Sequence, residues 1–319
     1  MSIEKRVGVL GATSLIGSSL LQSLEMQGYE ILAFTRRNQA LRGGQKSPKS
    51  VSWRQVDGIF DILQTTRHSW SQSIKSSAPY ASKDCIEQWV SLVPIWVLPA
   101  YFSMISASGA KRIVALSSTS RYSKRDSSDP IERDVATRLI EGEEQLARWA
   151  DQAGIEWVIL QPTMIYAPGL DRNINEIERV ICRLGFFPLL GAAHGRRQPV
   201  HADDVATACV AALASSKARN KTYILSGAEV LTYREMVGRV FRALGRTERF
   251  ITIPSLLFKI AIASLRVLPR FRYLSITMAQ RMNNDLVFGH EDAAQDLGFA
   301  PRMFEWRTPR LARSIPEGK

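Results

Sequence analysis

The chain has 319 residues, enough for roughly two average domains or for one large α/β unit. With 45% hydrophobic and 23% charged residues it can bury a substantial core, which excludes wholesale disorder. A formal net charge of +12 favours anionic partners: nucleotides, phosphorylated sugars, acidic lipid headgroups or nucleic acid.

In chain order, residues 7–10, 30–34, 89–98 and 112–116 read as strands, with 51–56 strand-like between them. These are near-continuous apolar runs, as a parallel strand buried on both faces requires. Residues 15–27 carry Leu20, Leu21 and Leu24 at helical spacing and stop at Gly28, a suitable C-terminal punctuator. The Ser-rich stretch after Asp57 is poorly periodic up to residue 88. Asp129 and Pro130 open a long helix, with Asp as cap and Pro in the first turn. Residues 156–160 are a further strand. Beyond Pro168 the pattern loosens into short elements rich in Gly and Pro. An alanine-rich helix then covers 202–215, capped by Asp203 or Asp204. Residues 222–225 form a strand that rejoins the first sheet, and Thr232 caps another helix. The alternation predicts an α/β fold, a doubly wound parallel sheet with helices on both faces.

The chain runs from Met1 into an apolar strand without a cleavable leader, which predicts no secretory signal. Cys85, Cys182 and Cys209 lie far apart and form no CxxC, which argues against a disulfide framework and suits a reducing cytoplasm. The four histidines form no HxxxH, so no metal site is expected. No recognition motif or aromatic-basic interleaving supports nucleic-acid binding.

Gly11-Ala12-Thr13-Ser14-Leu15-Ile16-Gly17 follows a strand and opens a helix, the context that gives a glycine motif its meaning. Gly11 permits the tight turn, Gly17 permits close helix–strand packing, and the helix N-terminus offers N–H groups to a pyrophosphate. The middle position is Ser14, not Gly. The second strand runs into Arg36 and Arg37, with no acid for a ribose hydroxyl. An arginine there pairs with a 2′-phosphate, so the expected cofactor is NADP(H) in preference to NAD(H).

By its motifs the chain resembles an extended or atypical short-chain dehydrogenase/reductase, of the NAD(P)-dependent epimerase/dehydratase group. The likeness rests on Gly11, Ser14 and Gly17; on Asp57, matching the acid that faces adenine; and on the active-site serine strand 114–120. It rests also on segment 161–169, which resembles R-P-x-x-x-Y-G-P-G, and on 199–206, which resembles V-H-V-D-D-V-A. Residues 281–285 and 296–301 resemble the region holding a diphosphate-binding arginine. The resemblance implies a Rossmann-type domain, 1–168 with 201–228, and a smaller, discontinuous substrate domain, 169–200 with 229–319. It implies cofactor contacts at Gly11, Thr13, Ser14, Leu15, Ile16, Gly17, Arg36, Arg37, Asp57, Val93, Pro94, Pro162 and Thr163. Substrate contacts are expected at Tyr166 and Arg281 from the resemblance, and at Arg197 and His201 from their chemistry, where the alternatives are a solvated turn for Arg196-Arg197 and a structural histidine beside a helix cap.

One departure is chemical. The family's Tyr-x-x-x-Lys, whose lysine lowers the phenol's pKa, falls on Val135 and Leu139. No tyrosine of the chain has a lysine four residues later. Ser118, Thr119, Tyr122 and Lys124 are the remaining candidates for carbonyl polarisation and proton transfer. The expected function is an NAD(P)-dependent oxidoreductase or epimerase-like protein acting on a nucleotide-linked or lipid-linked sugar. The alternative is a non-catalytic NADPH-binding scaffold similar to the accessory subunit of respiratory complex I. Residues 254–268 are apolar nearly all round, too short to span a bilayer, and flanked by arginines. They suit either a core helix or peripheral contact with the inner membrane face.

Overall fold

The computed structural model describes residues 5–35, 50–55, 85–171, 173–254 and 281–307. Its strands are β1 (Arg6–Leu10), β2 (Glu30–Thr35), β3 (Val51–Gln55), β4 (Gln88–Ser91), β5 (Arg112–Leu116), β6 (Glu156–Pro162), β7 (Ile165–Tyr166), β8 (Phe187–Leu190), β9 (Arg196–Arg197), β10 (Val200–His201), β11 (Lys221–Leu225), β12 (Leu231–Thr232) and β13 (Phe250–Ile253). The helices are α1 (Gly17–Met26), α2 (Phe102–Ala107), α3 (Ser120–Ser123), α4 (Pro130–Ala153), α5 (Asn173–Leu184), α6 (Ala202–Ala214), α7 (Tyr233–Ala243) and α8 (Glu291–Leu297).

Burial on both faces selects the apolar runs as a parallel sheet of order β11-β6-β5-β4-β1-β2-β3. The order reverses between β1 and β4, which opens a crevice at their C-terminal ends. On one face Val7, Val9 and Val114 pack under Leu20 and Leu24 of α1 and Val205 and Cys209 of α6. Ser19 Oγ donates to Asp203 Oδ1 at 2.6 Å, tying those two helices together. On the other face Trp89, Ile113 and Ile159 pack against Leu139 and Leu146 of α4. Each buried Leu, Ile or Val side chain contributes about 1.5–3 kcal/mol. A third cluster stands apart from the sheet. There Ile174, Ile177 and Ile181 of α5 meet Val237, Val240 and Phe241 of α7, with Phe304 and Trp306.

The structure corrects the expectation at three places. The apolar run 89–98 is not one strand: β4 ends at Ser91, and Ile95–Tyr101 is a 3-10 helix. Pro94 at its start cannot donate to a ladder, and burial beneath α4 still demands apolar side chains at Ile95 and Leu98. The cap of α6 is His201, whose side chain accepts from Asp203 N, rather than Asp203 or Asp204. The loose stretch after Pro168 contains α5, with Asp171 Oδ1 accepting from Ile174 N at 2.7 Å. Elsewhere the local chemistry is as expected. Asp129 caps α4 with Pro130 in its first turn, Gly28 has φ 75°, and Thr232 forms a capping box with Glu235.

Candidate functional site

The crevice is lined first by the turn after β1. Gly11 has φ 75°, and a Cβ there would stand 3.0 Å from the backbone of Leu92 and of Val93. A Cβ on Gly17 would stand 1.9 Å from the carbonyl oxygen of Ala12. Both glycines are therefore required by close approach, and the turn is drawn tight against the end of β4. Thr13 and Ser14 are exposed, and the first turn of α1 carries no acidic residue. Among the described residues, the N–H groups of Thr13, Leu15 and Ile16 have no backbone acceptor. Unpaired donors at a helix N-terminus fit a pyrophosphate. Val93 adjoins this turn and Pro94 starts the 3-10 helix that follows, whereas Arg36, Arg37 and Asp57 lie outside the described residues, as does 255–268.

The loop after β5 forms the next wall. Thr119 is buried, and its N–H and Oγ1 both donate to the carbonyl of Pro162, at 3.1 and 3.2 Å. Ser118 Oγ accepts from Ser120 N at 3.1 Å. Thr163 N donates to Leu225 O at 3.0 Å and its hydroxyl donates to Gln198 O at 2.5 Å. Tyr122 and Lys124 belong to separate networks. The Tyr122 phenol donates to Gln161 Oε1 at 3.0 Å. Lys124 faces Arg281 and Glu132, and its pKa lies below the usual lysine value through burial first and the Arg281 charge second.

Behind this loop α4 presents Val135 and Leu139 to the apolar cluster. One turn later comes a carboxylate that the sequence reading missed. Glu143 is 4% exposed, accepts from Ser117 Oγ and from Gln161 Nε2 at 2.9 and 3.0 Å, and is ion-paired with Arg121. A charge within the apolar stripe of Leu139, Gly142 and Leu146 was the signal that could have found it.

A cationic cluster borders the same loop. Arg197 is buried, its guanidinium stacks over Tyr233 at 5.2 Å, and its Nη2 donates to Arg281 O. Its Nη1 is buried without a partner. Arg281 pairs with Glu132 at 2.8 Å, and Glu132 also accepts from Ser127 Oγ at 2.7 Å. The structure thus brings together Arg197, Arg281 and Lys124. Their neighbour Arg196 is exposed and paired with Asp285.

Tyr166 and His201 are held by packing. Tyr166 is fully buried, lies edge-on to His201 and Phe304, and has its pKa pushed up to about 12 by burial. His201 caps α6, and burial holds its pKa below the usual value. Among the described residues no group of His, Cys, Asp and Glu could hold a metal ion, and no helix is long and apolar enough to cross a membrane.

Residues 100–226 match the model of the NAD dependent epimerase/dehydratase family. The chain is 24% identical over 163 residues to the UDP-glucose 4-epimerase of Vibrio cholerae, covering 48% of this chain and 49% of that protein. It is 35% identical over 101 residues to subunit 9 of the NADH dehydrogenase 1 alpha subcomplex of Arabidopsis thaliana, covering 31% of this chain and 25% of that one. The chain therefore matches about half or less of the length of these relatives. The crystal structure of UDP-glucuronic acid 4-epimerase from Bacillus cereus, in complex with UDP-glucuronic acid and NAD, aligns with a TM-score of 0.65 at 14% identity, covering 94% of this chain and 95% of that one. At that identity the likeness establishes the fold.

Proposed function

We propose that this NAD-dependent epimerase/dehydratase domain, with the glycine turn before it, binds NADP(H) and acts on a sugar linked through pyrophosphate to a nucleotide or a lipid. The observation that carries the substrate class is the unpartnered Nη1 of buried Arg197. A buried guanidinium nitrogen without an acceptor is costly unless a ligand supplies one. With Arg281, Lys124 and Glu132 beside it, and with Asp285 taken up by its pair with Arg196, the cluster keeps a net excess of two positive charges, which suits the two charges of a pyrophosphate diester.

The glycine turn, Val93 and the N–H groups of Thr13, Leu15 and Ile16 would hold the cofactor's pyrophosphate, and Arg36 and Arg37 its 2′-phosphate. Bound there, nicotinamide supplies hydride transfer. Thr119 and Ser118 stand at the end of β5 to orient the substrate, Tyr122 stands on the same loop, and the cationic cluster fixes the anionic arm. The neighbours' UDP-sugar ligands agree with this assignment.

Isothermal titration of UDP, NADPH and NADH tests it. Arg197→Leu should weaken UDP by about 1.5–3 kcal/mol, the worth of a hydrogen bond to a charged group. The variant should fold at least as well as the parent, because an apolar residue replaces an unpaired buried charge. NADPH should bind the parent more tightly than NADH, and Arg36→Ala should narrow that gap. Unchanged UDP affinity in Arg197→Leu would refute the substrate assignment, and equal cofactor curves would refute the NADP(H) preference.

A second reading rests on Val135 and Leu139, which pack into the apolar cluster and can move no proton. On that reading the cofactor is held as part of a scaffold, without turnover. Oxidation of bound NADPH by a sugar-nucleotide panel supports the enzyme, whereas tight binding with no turnover supports the scaffold.

A further inference from the structure

Beyond the cofactor turn and the cationic cluster, a cavity of about 140 Å3 opens at the β6–β11 edge of the sheet. Tyr122, Gln161, Thr222 and Ile224 line one side, and the segment 289–293 lines the other. Two glutamines fix the hydrogen-bonding polarity of this wall.

The first is Gln161, which is 0% exposed. Its Nε2 lies 2.9 and 3.0 Å from the two carboxylate oxygens of Glu143, which is ion-paired with Arg121. A carboxylate so paired only accepts, so the amide nitrogen must face it and Oε1 must turn to Tyr122. The phenol proton is therefore committed to Gln161 at 3.0 Å. The lone pairs of Tyr122 Oη remain to accept from a ligand.

The second is Gln198, which is 8% exposed. Its Oε1 accepts from Phe288 N at 2.7 Å, so its Nε2 faces Ser226 Oγ at 3.3 Å. Ser226 is fully buried, and sending its single proton to Nδ1 of His290 at 2.6 Å is the arrangement that leaves this hydroxyl with both a donor and an acceptor. In that tautomer the ring proton sits on Nε2, which makes His290 a donor. Glu291 and Asp292 add acceptors to the lining. The Tyr122 ring, 47% exposed and 6.0 Å from Phe288, adds a flat apolar face.

Acceptors, one oriented donor and an exposed aromatic ring match a molecule with several adjacent hydroxyls and an apolar C–H face. The two carboxylates disfavour an anion at this position. We propose that this cavity is a neutral-carbohydrate subsite, taking the hydroxyls of one sugar ring between Tyr122 and His290. It goes beyond the pyrophosphate-sugar reading and stands whether or not the crevice turns over, because none of Arg197, Arg281 and Lys124 lines it.

Ligand-observed NMR titration of methyl β-glucoside, methyl β-galactoside and methyl N-acetyl-β-glucosaminide tests the proposal, with and without UDP. At least one glycoside should bind saturably in the millimolar range, and UDP should not displace it. Tyr122→Phe and His290→Phe keep the rings and remove the polar atoms, and each should weaken the glycoside by about 2- to 10-fold, the worth of one neutral hydrogen bond. Circular dichroism confirms folding of both variants. Absence of saturable binding by all three glycosides, full affinity in both variants, or displacement by UDP would overturn the subsite. Failure of UDP to bind, with glycoside binding intact, would instead count against the pyrophosphate reading alone.

Discussion

His201 carries an expectation that turns on one nitrogen. Its Nδ1 accepts from Asp203 N at 3.2 Å, which only an unprotonated Nδ1 can do. Burial lowers its pKa, against the opposing pull of Asp203 and Asp204, while Arg302 acts with burial. The unfolded chain therefore binds a proton at higher pH than the native one. The histidine's contribution to stability is complete above the unfolded value of about 6.5 and is lost as pH falls from there through the native pKa. His201→Asn keeps a capping acceptor and removes the titration. Melting temperatures measured between neutral and mildly acidic pH should fall less steeply in this variant than in the parent. Identical slopes would show that the cap is not linked to protonation.

At the scale of elements, α4 is pinned at its start and again midway along its buried face. Asp129 accepts from Ile131 N at 2.9 Å at its start, a cap whose removal costs about 1 kcal/mol. Glu143 joins it to the loop after β5 through Ser117, to β6 through Gln161 and to α3 through Arg121. Removing one partner of a buried, hydrogen-bonded ion pair costs about 3–5 kcal/mol. Urea denaturation should therefore rank Glu143→Ala well below Asp129→Ala in stability, and a reversed order would show the Glu143 network to be dispensable. The same helix shows what the sequence could and could not disclose. Asp129-Pro130, Gly28 and Thr232 were legible because caps act on the backbone locally. The strands were legible because burial on both faces leaves only apolar residues. Residues 89–98 misled because an apolar 3-10 turn beneath α4 has the same composition as a buried strand. In α5, Ile174, Ile177 and Ile181 carried helical spacing that the Gly and Pro residues on either side obscured. The turn from Gly11 to Gly17 was readable from its place between strand and helix. Glu143 left one signal, a charge within the apolar stripe of its helix, whereas Gln161, Gln198 and His290 were not readable, because their roles come from partners between 18 and 90 positions distant.

On the scale of the whole molecule, two kinds of positive charge act on an anionic ligand, and they separate kinetically. The net charge of +12 draws a nucleotide in from solution, an effect that salt screens once the Debye length falls from about 10 Å at 0.1 M to about 3 Å at 1 M. Arg197 is 6% exposed and acts at contact, where screening is weak. Raising the salt should therefore lower the association rate of UDP steeply and leave its dissociation rate nearly constant. Arg197→Leu should do the reverse. Truncating a buried charged contact falls on dissociation, so the variant should release UDP about 10- to 100-fold faster, the kinetic equivalent of 1.5–3 kcal/mol. Its association rate should keep the salt dependence of the parent, since one charge among many is lost. Stopped-flow measurements on both proteins at two salt concentrations give the association and dissociation rates in each case. A dissociation rate that rises with salt as steeply as association falls would mean that UDP is held by exposed charges, and that the Arg197 cluster is not where its phosphates rest.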